Sequence, residues 1–126
     1  MKGEVAVVLG PDEEVLHWHL PPDRTAASLP DSRELWEVLW EARATVLGVA
    51  HTHPGRGRPV PSTVDLTTFR AVELGLGRTL TWWVASQDRL VVCRWIASRT
   101  TYGVEDDADP PKPWLIELRR RSGMEE

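Results

Sequence analysis

Four short apolar runs constrain this chain more than any other feature: residues 4–9 (EVAVVL), 45–51 (TVLGVAH), 79–85 (TLTWWVA) and 89–96 (RLVVCRWI). Each is shorter than the ten to twelve residues a helix of a globular protein usually needs. Each is also rich in valine, tryptophan or isoleucine, which suit a pleated, packed surface. They therefore predict strands, with 4–9 buried and 45–51 buried on at least one face. Residues 14–19 predict a further strand, folded back on the first across the turn Gly10-Pro11-Asp12.

Between these runs the apolar period changes to that of a helix. Leu35, Val38, Leu39 and Ala42 fall at i, i+3, i+4 and i+7, with Trp36 and Trp40 widening the stripe, and Asp31 with Glu34 forms a capping-box pair at its start. Ser62 caps a second predicted helix over 62–74, with Leu66, Phe69 and Val72 inward and Gly75 near its C-terminal cap. A third covers 114–121, with Trp114, Leu115 and Leu118 inward. Residues 21–30, bracketed by Pro21, Pro22 and Pro30, read as a loop, as do 54–61 and the acidic, proline-rich segment 103–113. Strands interleaved with helices give an α/β class, a mixed sheet flanked by helices. At 126 residues the chain has room for one core, so 1–126 is read as a single domain.

Composition excludes several functions. The net charge is −4 and the basic residues are scattered apart from Arg119, Arg120 and Arg121, unlike the one-sided basic surface of a nucleic-acid binder. No apolar run approaches the ~20 residues that span a bilayer, so no membrane partner is expected. Cys93 is the one cysteine, which points to a reducing, cytoplasmic compartment. It sits mid-strand between Val92 and Arg94 and is not read as a nucleophile. The tryptophans mostly fall inside apolar patterns and are assigned to the core rather than to ligand stacking.

The chemistry lies in His51-Thr52-His53-Pro54 and Ser62-Thr63-Val64-Asp65. Two residues apart on a strand, His51 and His53 point the same way with Cα atoms ~6.6 Å apart, close enough to share one ion. Asp65, in the first turn of the next helix, offers a carboxylate where negative charge is favoured. Two nitrogens and one oxygen leave a fourth zinc position open, the arrangement of a catalytic site. Either half alone is weak. His-x-His is common, and its second instance, His17 and His19, is read as a strand pattern with no metal role. Ser62 with Asp65 is also an ordinary capping-box spacing. The two halves in order, at a strand end and the following helix start, carry the reading.

In this order the residues resemble the signature of the JAMM metalloprotease family, also called MPN+ or JAB: His-x-His, a loop of seven or more residues, Ser-x-x-Asp, and an upstream glutamate. That glutamate opens a strand of apolar residues ending in glycine, and Glu4-Val5-Ala6-Val7-Val8-Leu9-Gly10 is similar in type and order. The resemblance, of the bacterial or archaeal type, covers residues 4 to about 96. It implies an MPN, cytidine-deaminase-like architecture and one Zn2+ per chain on His51, His53 and Asp65. It further implies Glu4 as general base, Ser62 as oxyanion donor and Thr52 as a structural residue facing away. Two departures stand out. Family members carry a helix before the glutamate strand, whereas this sequence starts three residues before it, so the helix is lacking or the C-terminal helix or a partner covers that face. The loop between His53 and Ser62 is also one residue longer than in eukaryotic members.

The implied activity is hydrolysis of the bond after the C-terminal glycine of a ubiquitin-like protein, with activating or conjugating enzymes as further partners. The competing readings are a peptidase acting on a sulfur-carrier protein tail and a non-catalytic MPN scaffold. The sequence gives no sign of a deep apolar pocket, and the acidic residues Glu105, Asp106, Asp107 and Asp109 are expected beside the substrate's approach.

Overall fold

The computed structural model describes residues 2–107 and 112–124. Its elements run β1 (Ala6–Leu9), β2 (Val15–His19), α1 (Arg33–Glu41), β3 (Gly48–Thr52), α2 (Thr63–Leu76), β4 (Thr81–Ala85), β5 (Leu90–Ile96), β6 (Thr101–Asp106) and α3 (Pro113–Arg121). The strands form one six-stranded sheet in the order β2-β1-β3-β4-β5-β6. All neighbours are antiparallel except β3 and β4. Parallel neighbours need a crossover. Here the crossover is α2, which starts beside the C-terminal end of β3. Among the described residues no helix is long and apolar enough to cross a membrane.

The unbroken apolar character of the strands has its cause in two cores. Val5, Val7, Leu9, Ala50, Trp83 and Val92 face one side, where Trp114, Leu115 and Leu118 of α3 pack on them. Their alternates Ala6, Val8, Val49, Trp82, Val84 and Cys93 face the other, against Leu39 of α1 and Phe69 of α2. Adjacent residues on one strand therefore serve opposite cores, as the period of two requires. The result is a mixed sheet flanked by helices on both faces, and α3 lies over the β1–β3 face.

Several element boundaries and one whole element differ from the sequence expectation. Residues 103–106 belong to β6 and pair with β5 rather than looping, Val104 lying opposite Cys93. Tyr102 and Val104 pack on the core while Thr101, Glu105 and Asp106 face outward; acidic residues on an edge strand guard it against pairing with other chains. Asp109 lies outside the described residues. The cap of α1 is Ser32, whose Oγ accepts from the Leu35 amide at 3.0 Å, and not Asp31. The left-handed cap of α2 is Gly77 (φ 75°), not Gly75. Gly75 is inside the helix, where a Cβ would stand 2.9 Å from the Trp36 ring. Trp36 and Trp40 stack on each other with centroids 6.2 Å apart but remain 39% and 43% exposed, so they lie on the surface, Trp36 against Gly75 of α2, rather than filling the core.

Gly48 shows how tightly β3 is set against its parallel neighbour. A Cβ at this position would fall 1.7 Å from the Thr81 carbonyl oxygen, which is backbone and has no rotamer to yield. Gly48→Ala should destabilise the domain by about 3 kcal/mol or more, since overpacking that moves backbone exceeds the usual range. Urea unfolding of the variant measures this; an unchanged midpoint would mean that β3 and β4 pair less closely than described.

Candidate metal centre

The site sits where β1 and β3 end and α2 begins. Ala6 pairs with His51, and the Thr52 amide donates to the Val5 carbonyl at 3.1 Å, so continuing the register sets Glu4 opposite His53. The Glu4 amide donates to the Thr25 carbonyl at 2.8 Å, and the His53 amide to the Ala85 carbonyl at 2.9 Å. Thr52 points away from the histidines, is fully buried, and accepts from the Val5 amide at 3.0 Å. Its hydroxyl also meets the Ser122 hydroxyl at 2.8 Å, and the Ser122 hydroxyl donates to the Gly3 carbonyl. The end of α3 thus ties the strand of the histidines to the segment that carries Glu4.

The loop between His53 and Ser62 is stapled to the β4–β5 turn. The Gln87 amide donates to the Gly55 carbonyl at 2.8 Å and the Gly57 amide to Asp88 Oδ1 at 2.9 Å. Arg58 reaches Asp106 at 2.8 Å. These bonds aim the start of α2 at the end of β3. Ser62 and Asp65 then form a complete capping box: the Asp65 amide donates to Ser62 Oγ at 3.0 Å and the Ser62 amide to Asp65 Oδ2 at 2.8 Å. The cap uses a lone pair of the Ser62 oxygen and leaves its proton able to donate elsewhere.

The capping carboxylate also meets both imidazoles. Asp65 Oδ2 lies 3.0 Å from His53 Nε2 and 3.3 Å from His51 Nε2, and the two nitrogens are 3.2 Å apart. In a tetrahedral zinc site with bonds of ~2.0–2.1 Å, neighbouring ligand atoms stand ~3.3 Å apart. Three donors already form one face of such a tetrahedron, so the residues fit the ion. Glu4 joins them: one of its oxygens and the two histidine nitrogens all lie within 4.8 Å of one another. Among the described residues, His17 and His19 belong to no such set. His17 approaches Glu34 at 3.7 Å, and His19 Nε2 lies 2.7 Å from the Pro30 carbonyl, pinning the 21–30 loop to β2.

Burial pushes the Glu4 carboxyl above its ordinary range, partly countered by His51 and His53. His53 is raised, chiefly by its hydrogen bond to Asp65. Burial works to raise Asp65, but the hydrogen bonds from His51, His53 and the Ser62 amide outweigh it and hold the carboxyl far below the usual range. Burial pushes the Cys93 thiol up to about 11, which leaves no thiolate at neutral pH.

A cavity of mixed apolar and polar lining, of which no sequence pattern gives a sign, lies at the site. This cavity of about 640 Å³, with the four residues in its wall, runs between the sheet and the two helices on that face. Its walls include Ala6, Leu39, Val49, Phe69, Val72 and Trp82, with the 26–29 segment as a rim. Glu105, Asp106 and Asp107 do not line it; Asp106 is paired with Arg58 and Arg89, and Asp107 accepts from the Trp83 indole at 3.1 Å.

Sequence reasoning also missed Glu73. Buried on α2, it accepts from the Leu80 amide at 2.7 Å, the Trp82 indole at 3.1 Å and the Tyr102 hydroxyl, tying α2 to β4 and β6. The signal was present, since Glu73 lies four residues after Phe69 and seven after Leu66 on the same inward stripe.

A scan against protein-family models finds none that matches this chain, and a search of curated proteins finds no match.

Proposed function

We propose that this chain is a zinc-dependent amide or isopeptide hydrolase of the JAMM type, acting after the C-terminal glycine of a ubiquitin-like protein. The observation that carries the reading is the triangle of His51, His53 and Asp65 donor atoms, with edges of 3.0 to 3.3 Å, beside a buried glutamate. His51, His53 and Asp65 would hold the ion, which supplies Lewis-acid activation of a water and polarisation of the scissile carbonyl. Glu4 takes the proton from the attacking water and passes it to the departing amine; its raised pKa brings its proton affinity closer to neutral pH, where such transfer is most effective. Ser62, fixed by its cap, donates a hydrogen bond from its hydroxyl to the oxygen of the carbonyl as charge develops there.

The substrate class rests on the resemblance described above and on the general way extended tails are held along strand edges. It is tested with a ubiquitin-like protein fused through its terminal glycine to a reporter amine. Release that stops on adding chelator supports the reading. Rapid turnover of unrelated short peptides with no preference for the folded fusion would sink it.

A further inference from the structure

The two edges of the sheet are built differently. β6 turns Glu105 and Asp106 outward, and Asp106 is paired with Arg58 and Arg89, so that edge is guarded by charge. β2, the opposite edge, reads Val15-Leu16-His17-Trp18-His19 and carries no lysine, arginine, aspartate or glutamate. Val15 and Leu16 are 42% and 40% exposed on it. An unguarded edge strand with exposed apolar residues is open to pairing with another extended segment.

The two faces of this edge suit different side chains. Val15 lies opposite Leu9 and Trp18 opposite Val7, on the α3 side of the sheet, so that face is apolar. On the other side Leu16 stands beside Val38 and Ala42 of α1 in an open groove walled by Glu34, Glu37 and Glu41. The three glutamates are exposed and lie along one flank of α1 over ~10 Å, the rise of seven residues. Glu37 shares its charge with Arg33 at 2.8 Å and Glu34 approaches His17 at 3.7 Å, while Glu41 makes no ion pair among the described residues. Alternate side chains of a strand are ~6.8 Å apart, so two of them on one face of an added strand fit within the acidic span. The groove shares no lining residue with the cavity at the metal centre.

We propose that the β2 edge pairs with an extended segment of a partner protein in which lysine or arginine alternates with valine or isoleucine. The basic residues lay their apolar stems on Leu16 and Val38 and carry their charges to the three glutamates. The apolar residues between them extend the face of Val15. A second copy of this chain is the poorer occupant. Its own β2 has no lysine or arginine, and a two-fold pairing of the edges would bring the acidic flank of one α1 toward that of the other. This surface stands independently of the hydrolase reading.

The probe is the capped peptide acetyl-Val-Lys-Val-Lys-Val-Lys-Val-amide, titrated into the whole chain. The backbone amide NMR signals of Leu16 and Trp18 should shift, and the affinity should fall as salt is raised. Replacing the central valine by proline should weaken binding at least ~10-fold, because proline interrupts strand pairing without changing the charge. Glu37→Lys combined with Glu41→Lys should weaken it ~10-fold or more, since two exposed attractions become repulsions. Leu16→Lys, which places a guard on the edge, should abolish binding, and Glu105→Lys on the far edge should leave it unchanged. All these positions are exposed, so melting curves should match that of the parent. No binding, equal binding of the valine and proline peptides, or indifference to the Leu16 and glutamate changes would overturn the proposal. So would a dimer of the chain alone, seen by sedimentation, that Leu16→Lys dissociates.

Discussion

Purified protein should carry about one zinc per chain, and His51→Ala or Asp65→Ala should reduce this to nearly none, while His17→Ala leaves it unchanged. The three ligand atoms are mutually within 3.3 Å, so removing any one opens a face of the tetrahedron and leaves two donors. Asp65 matters doubly, because it is the anion of the set and offsets the ion's charge in a half-buried site. Its loss also removes one half of the α2 capping box, though Ser62 still caps the helix through its hydroxyl. A melting curve alongside elemental analysis separates the two effects, since a lost cap contact costs only about 1 kcal/mol. Elemental analysis is the deciding measurement. Equal zinc loss in His17→Ala would mean that the ion is held by a different pair.

Glu4→Gln should lower activity by ~10²-fold or more with zinc retained, because the amide keeps the shape of the side chain but accepts no proton. Retention of zinc is the informative half. Glu4 reaches within 4.8 Å of both histidine nitrogens, so a direct ligand and a base that works beside the ion are both geometrically open to it. Zinc lost together with activity would make Glu4 a ligand; full activity would make it a structural residue. Glu13 is not free to replace it. Glu13 is engaged by Lys112 at 3.0 Å and by the Trp114 indole at 2.7 Å, where it anchors the start of α3.

Sheet, helices and the convergence of His51, His53 and Asp65 were legible because each rests on local patterning. Strands buried on both faces write continuous apolar runs, and a strand end followed by a capped helix brings His-x-His near Ser-x-x-Asp. What stayed hidden depends on contacts between distant residues. β6 was obscured by its acidic edge, whose charges read as a loop until pairing with β5 gives them a purpose. The cavity arises from the spacing of α1 and α2 over the sheet, which no single segment records. Asp31 displaced Ser32 as the expected cap because both residues suit the role, and only the entry angle of the chain decides between them. Ser122 is a polar residue in a buried position, where composition argues for exposure and only its distant partners Gly3 and Thr52 explain it.

The bond between Ser122 and Gly3 makes the shape of the site depend on both ends of the chain. Its partners are 119 residues apart, and the same hydroxyl meets Thr52 on the strand of the histidines. While the chain is being synthesised, β1, β3 and the start of α2 leave the ribosome first, and with them every proposed metal ligand. The segment carrying Glu4 has no such clamp until α3 has emerged and docked. A chain lacking α3 would thus keep the histidine strand and the Asp65 cap but lose this clamp on the segment that carries Glu4.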